Sequence, residues 1–338
     1  MSENELNYTD SIVSQPLSVE TSRVLKETKK RIHPIVVYPF SHPQNTGHLK
    51  ALYSRLSDLC HNQNGNYCTP ITVLNRQTVD RITPPKMNQI EAKEARARFD
   101  NFLATEIKPH SKIIEAWCVD TCQMWLTGLG RASDDNDALA AVYWLIPGDF
   151  DYDNVEGKKV LAKFEEIPMF VYQGREVDLS LGEIKVPLNS AKQLIDTYGT
   201  YGLLYNWFPA EAQGIRLITD KPRTEFFAIS DSYLKYVLSK RWYAYEQTIV
   251  LLLHAMSGQN PVRGIRKVEL GKIQDEDQGR SRLEGAMQQV ERTERVLKLF
   301  WRERHGDDRA WRERFRVLDR QSEQVRGAAM VIFEQILA

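Results

Sequence analysis

Two periods of apolar residues alternate along the first half of the chain. Ile35-Val36-Val37-Tyr38-Pro39-Phe40 is a short β-branched run closed by a proline, and Leu49, Leu52, Tyr53, Leu56 and Leu59 then recur at helical spacing. The pattern predicts a strand, a loop and a helix. A second strand is expected at residues 71–74, a charge-rich helix at 89–104, and a more apolar helix at 113–126 that ends near Gly128 and Gly130. Residues 138–146 read as a continuously apolar strand, the kind buried on both faces of a parallel sheet. Strands alternating with helices in this way point to an open, mostly parallel α/β sheet flanked by helices.

The second half is less regular. A strand is expected at 169–173, a helix at 190–198, and helices across 231–256, with the aromatic stretch Tyr201 to Phe208 between them. From about Gly271 charged residues dominate, and Leu283, Met287, Val290, Leu297 and Phe300 recur at steps of three and four. Gly306-Asp307-Asp308 breaks that pattern before a second stripe through Trp311, Phe315, Leu318, Val325 and Val331, which predicts an antiparallel helical hairpin. Residues 1–28 are polar and without period, as in a disordered tail. The organisation expected is therefore a tail at 1–28, an α/β domain at 29–265 and a C-terminal hairpin at 266–338.

Composition narrows the function classes. A chain of 338 residues, 42% hydrophobic and 27% charged, can bury a sizeable core. Lys plus Arg and Asp plus Glu are 45 each, so no global field draws the protein to nucleic acid or anionic lipid. No apolar run approaches the roughly 20 residues of a transmembrane segment. The polar N-terminus also lacks a secretory pattern, so a cytoplasmic location is expected. Cys60, Cys68, Cys118 and Cys122 read as buried reduced thiols, with a zinc site as the alternative.

The chemistry concentrates where the third apolar strand stops. Pro147-Gly148 ends it, and Asp149, Asp151 and Asp153 follow at alternate positions. Carboxylates one residue apart on a tight turn can share one Mg2+ or Mn2+, and that cation can bridge the two phosphates of a nucleotide diphosphate. The plainer alternative is that these aspartates make turns and cap a helix. The segments around Tyr38-Pro39-Phe40, Leu145-Ile146-Pro147-Gly148-Asp149-Phe150-Asp151, and Lys221-Pro222-Arg223-Thr224-Glu225 together resemble the GT-A glycosyltransferases. That family builds its nucleotide-sugar site from the first strand's loop and an Asp-x-Asp motif.

The resemblance implies metal-assisted transfer of a sugar from a nucleotide-sugar donor to a hydroxyl of a small-molecule or glycan acceptor. It implies Tyr38, Pro39 and Phe40 on the donor, Asp149 and Asp151 on the metal, and Glu246 as general base. His254 would complete the metal shell, although a histidine on the apolar helix Leu251-Leu252-Leu253-His254 is more often a buried, hydrogen-bonded core residue. Arg131 is a candidate for the pyrophosphate. Lys221, Arg223 and Trp207 are candidates for acceptor or phosphate, with ion pairing and core packing as their alternatives. The chain lacks Gly-x-Ser-x-Gly, Gly-x-x-x-x-Gly-Lys, Gly-x-Gly-x-x-Gly and His-Glu-x-x-His. Two rival functions remain open: a nucleotidyltransferase using the same carboxylates, and a non-catalytic scaffold acting, or self-associating, through its C-terminal helices.

Overall fold

A computed structural model describes residues 31–37, 49–62, 65–76, 88–118, 121–134, 140–174, 176–238, 247–257, 264–273, 282–306 and 308–337. The strands are β1 (Arg31–Val37), β2 (Ile71–Asn75), β3 (Lys112–Ala116), β4 (Ala140–Pro147), β5 (Leu179–Lys185), β6 (Phe227–Ser230) and β7 (Ile265–Lys272). They form one sheet in the order β3-β2-β1-β4-β6-β5-β7. β6 alone runs against its neighbours; β1 pairs in parallel with β2 and β4, and β5 with β7. This is an open, mostly parallel α/β sheet flanked by helices.

Strand side chains alternate between two apolar layers, which explains why the central strands show no polar face. Ile35, Val37, Tyr143 and Leu145 point into one cluster, and Val36, Val142, Trp144 and Ile146 into the other. The second layer is covered by α1 (Lys50–Asn62), α2 (Gln89–Phe102), α4 (Val155–Leu161) and α5 (Glu166–Gln173). The first is covered by α3 (Thr121–Asp134) and by a segment in which α6 (Ala191–Leu194) opens into a π-helical turn, Ile195–Thr200, and continues as α7 (Tyr201–Trp207). α8 (Pro209–Ile218), α9 (Asp231–Leu238) and α10 (Gln247–Met256) complete that layer. Among the described residues no helix is long and apolar enough to cross a membrane.

The hairpin, α11 (Arg282–His305) and α12 (Arg309–Leu337), turns its apolar stripes inward. Val290, Leu297, Phe300, Leu318, Ala329 and Phe333 belong to the same cluster as the sheet's first layer. Two glycines permit the approach. A Cβ on Gly199 would strike Val290 of α11, and one on Gly202 would lie 2.8 Å from Val325 of α12.

Several expected elements differ. Residues 113–126 are not one helix: β3 takes the β-branched pair Ile113-Ile114, and α3 begins at Thr121. α3 also runs past Gly128 and Gly130 instead of ending there. Gly128 serves packing, since a Cβ on it would sit 2.5 Å from Ile35 Cγ2. The stretch 169–173 is the end of α5, whose Ile167 and Val171 bury one face at helical spacing. The true strand there is β5, whose Leu-Ser-Leu-Gly-Glu-Ile-Lys hides its burial behind polar letters. Gly182 is small because Ile167 Cδ1, Leu270 Cδ1 and Phe226 Cβ would meet a Cβ at 2.6–2.8 Å.

Candidate functional site

The strand order reverses between β1, which leads toward β2 and β3, and β4 on its other side. Open α/β sheets bind ligands in the crevice at the carboxyl ends of such strands. Here the two strand ends are tied together, because the Gly148 N–H donates to the Val37 carbonyl at 2.6 Å. Asp149 and Asp151 follow immediately, both exposed. The Tyr152 side chain between them and Asp153 plunges into the core, and its hydroxyl donates to the Pro147 carbonyl at 2.5 Å. That anchor holds the turn against the sheet.

The three alternating carboxylates have different surroundings. Asp151 Oδ1 accepts from the backbone N–H groups of Asp153 (3.0 Å) and Asn154 (3.3 Å), shaping the turn. Asp153 reaches a helix 102 residues earlier in the chain: Oδ2 accepts from Lys50 N–H at 2.9 Å and Oδ1 from Ala51 N–H at 3.1 Å. It thereby fills the N-terminal anion position of α1 with a carboxylate of the chain itself. Asn154 caps α4 by accepting from Gly157 N–H at 2.6 Å. Gly157 lies directly under the turn, where a Cβ would strike the Asp151 carbonyl. Asp149 opens the turn and is exposed.

A fourth carboxylate comes from across the sheet. Leu145 pairs with Phe227, and continuing that antiparallel register sets Glu225 beside Pro147. Phe226 stacks edge-on with Phe150 at 5.9 Å, and Phe150 with Tyr152 at 5.0 Å. Burial holds the Tyr152 hydroxyl well above the ordinary tyrosine range, and the nearby charges of Asp149 and Glu225 push it further. Glu225 is exposed on a loop pinned from several sides. Thr224 Oγ1 donates to Gly182 O, and Thr248 Oγ1, at the start of α10, donates to Thr224 O, each at 2.5 Å. Sequence reasoning passed over Glu225 because only strand pairing brings it to the acidic turn.

The same edge holds a depression of about 700 Å3 at the carboxyl ends of β5 and β7. Glu156 and Lys159 of α4 line it together with Lys185, Lys221 and Lys272, so α4 connects the acidic turn to this space. Among the described residues no group of three or more His, Cys, Asp or Glu side chains is arranged to hold a metal ion. The two aspartates fit a cation of the kind that takes one or two carboxylates and completes its shell with water and phosphate, not a cage made by protein alone.

Other candidates from the sequence are not brought to the turn. His254 is 6% exposed and packs edge-on against Phe300 at 4.8 Å and Tyr236 at 5.9 Å, inside the helical layer. It therefore does not join Asp149 and Asp151 in a three-residue metal group. Arg131 lies in the last turn of α3, which returns from the carboxyl end of β3 to the amino end of β4. It lines a groove beside the edge strand β3, remote from the pyrophosphate position expected of it. Trp207 is 1% exposed; its Nε1 donates to Ser322 Oγ at 2.7 Å and its ring meets Trp301 and Phe315.

Lys221 and Arg223 are side-chain partners of the buried Asp196 on the π turn, at 3.3 and 2.9 Å. Arg223 also donates to Gln289 of α11 at 2.6 Å. Both cations thus hold the loop before β6 to the helical layer, and only Lys221 reaches the depression. Of the aromatic stretch, Tyr201, Trp207 and Phe208 are core, while Tyr198 and Tyr205 remain 43% and 42% exposed. Tyr38, Pro39, Phe40 and Glu246 lie outside the described residues. Cys60 and Cys68 sit near the amino edge and Cys118 at the carboxyl end of β3, so these thiols do not converge on one zinc.

No family model matches the sequence, and a comparison with curated proteins finds no match. Among solved structures the chain is similar to glucosyl-3-phosphoglycerate synthase from Mycobacterium tuberculosis in complex with uridine diphosphate. The TM-score is 0.49 at 10% identity, over 78% of this chain and 80% of that one. The likeness is distant.

Proposed function

We propose that the chain is a GT-A-type transferase that moves a sugar from a nucleotide-diphosphate donor to a hydroxyl acceptor, with its donor site at the β1–β4 crevice. The observation that carries this reading is the placement of two exposed aspartates, Asp149 and Asp151, on the turn at the carboxyl end of β4, locked to the end of β1 by Gly148. Asp149 and Asp151 would hold Mg2+ or Mn2+ there, and the cation would neutralise negative charge on the departing nucleotide diphosphate. With Asp153 already seated on α1, the diphosphate has no helix N-terminus to use at that point, which makes the aspartate-held charge the principal grip.

The acceptor enters from the depression beside α4. Its reacting hydroxyl must lose a proton as it attacks the anomeric carbon, which calls for a carboxylate within hydrogen-bond reach. Glu225 is the candidate supplied by strand pairing, and Glu246 the one implied by the family resemblance. The decisive experiment is a thermal-shift panel of nucleotide sugars with and without manganese on the wild type, Asp149→Ala and Asp151→Ala. A ligand that binds only the folded state raises its melting point. Metal-dependent stabilisation lost in Asp149→Ala supports the reading; equal responses in all three proteins refute it. Release of pyrophosphate from a nucleoside triphosphate, with no sugar transfer, would instead identify a nucleotidyltransferase. Activity retained in Glu225→Gln and lost in Glu246→Gln assigns the base to the latter.

A further inference from the structure

A histidine and two thiols meet near the amino edge of the sheet, away from the acidic turn. His33 of β1 is 3% exposed, and its Nε2 lies 3.0 Å from Cys68 Sγ. Cys68 is fixed on the approach to β2 by its own N–H, which donates to the Ile32 carbonyl at 2.9 Å. Cys60, in the last turns of α1, is half-buried and its thiol donates to the Cys68 carbonyl at 3.3 Å. Gly65, at φ 73°, turns the chain between them. The Cys60 sulfur therefore lies against the Cys68 backbone, so the two cysteines are immediate neighbours.

The two thiols are chemically unequal. Cys68 is 9% exposed and sits beside an imidazole, a base placed to take its proton as the sulfur attacks. Burial, then the neighbouring Cys68, pushes the Cys60 thiol up to about 11, so Cys60 keeps its proton at neutral pH. One sulfur is suited to attack and the other to resolve.

We propose that Cys68, with His33 as its base, is a hydroperoxide-reactive thiol that Cys60 resolves into a reversible Cys60–Cys68 disulfide. In the first step the Cys68 thiolate attacks the peroxide: an S–O bond forms, the O–O bond breaks, and the departing alkoxide or hydroxide takes the proton held by His33. In the second step Cys60 sulfur attacks the sulfenic sulfur: the S–S bond forms, the S–O bond breaks, and hydroxide leaves with the Cys60 proton as water. Two thiols are oxidised and one peroxide is reduced to an alcohol and water.

The test uses the full chain, reduced and desalted, then treated with hydrogen peroxide, blocked with N-ethylmaleimide and mapped by mass spectrometry. The expected product is a Cys60–Cys68 linked peptide that dithiothreitol reverses, with Cys68 oxidised at least about tenfold faster than Cys118. Cys60→Ser should stop at the sulfenic acid, trapped on Cys68 by dimedone, and His33→Gln should slow the first step about tenfold. If His33→Gln does not fold, the dimedone adduct in Cys60→Ser decides. Full alkylation of Cys60 and Cys68 after peroxide, or oxidation of Cys118 as fast as Cys68, would overturn the proposal.

Discussion

Replacing Asp153 by alanine removes two hydrogen bonds from the first turn of α1, to Lys50 N–H at 2.9 Å and Ala51 N–H at 3.1 Å. Loss of an N-cap costs about 1 kcal/mol, and loss of a carboxylate at the positive end of a helix about 0.3 to 1 kcal/mol more. The sum for Asp153→Ala is about 1 to 2 kcal/mol, with Asp153→Asn near half of that because one acceptor oxygen survives without the charge. Asp149, exposed on the same turn, should by contrast stay within about 0.5 kcal/mol of wild type when changed to alanine. Urea denaturation followed by circular dichroism reads both, provided the slope m is unchanged so that the midpoint reports stability. Stabilisation by manganese and a nucleotide sugar should survive in Asp153→Asn and vanish in Asp149→Ala. If Asp149→Ala destabilises as much as Asp153→Ala, or Asp153→Ala costs nothing, the division between a structural and a ligand-facing carboxylate is wrong.

Three further outcomes follow from side-chain contacts in the helical layer. Ser322 Oγ accepts from Trp207 Nε1 at 2.7 Å and Asn206 Nδ2 at 2.9 Å, so Ser322→Ala should destabilise by about 1 to 3 kcal/mol through the stranded donors, read as a lower urea midpoint. Asp196→Ala leaves Lys221 and Arg223 without their shared buried partner and should cost about 3 to 5 kcal/mol; a loss no larger than that of a surface substitution would contradict the ion-pair geometry. His305 lies 4.1 Å from the rings of both Trp301 and Trp311. Burial first, and then Arg304, lower its pKa below the ordinary 6.5. Its folded state favours the neutral ring, so this contribution to stability is present above 6.5 and lost as pH falls from there through the depressed value. His305→Phe should remove that part of the pH dependence of the denaturation midpoint.

The sequence by itself determined β1, β2, β4 and the hairpin, because each carries an unbroken or periodic apolar pattern. Residues buried on two faces have no polar letters to hide behind, which made β4 legible, and the stripe through Phe315, Leu318 and Val325 announced α12. It also located the acidic turn, since proline and glycine must interrupt a strand that aspartates follow. What it could not show was burial achieved by small or polar residues: β5 reads as nondescript because Gly182 makes room for Ile167, Leu270 and Phe226. Nor could it show partners far apart in the chain. Asp153 caps a helix 102 residues away, Glu225 reaches the crevice through pairing of β6 with β4, and Lys221 and Arg223 are drawn to Asp196. Each of these depends on which surfaces the folded chain brings together, and a residue's charge alone does not say whether water or a buried counter-charge will meet it.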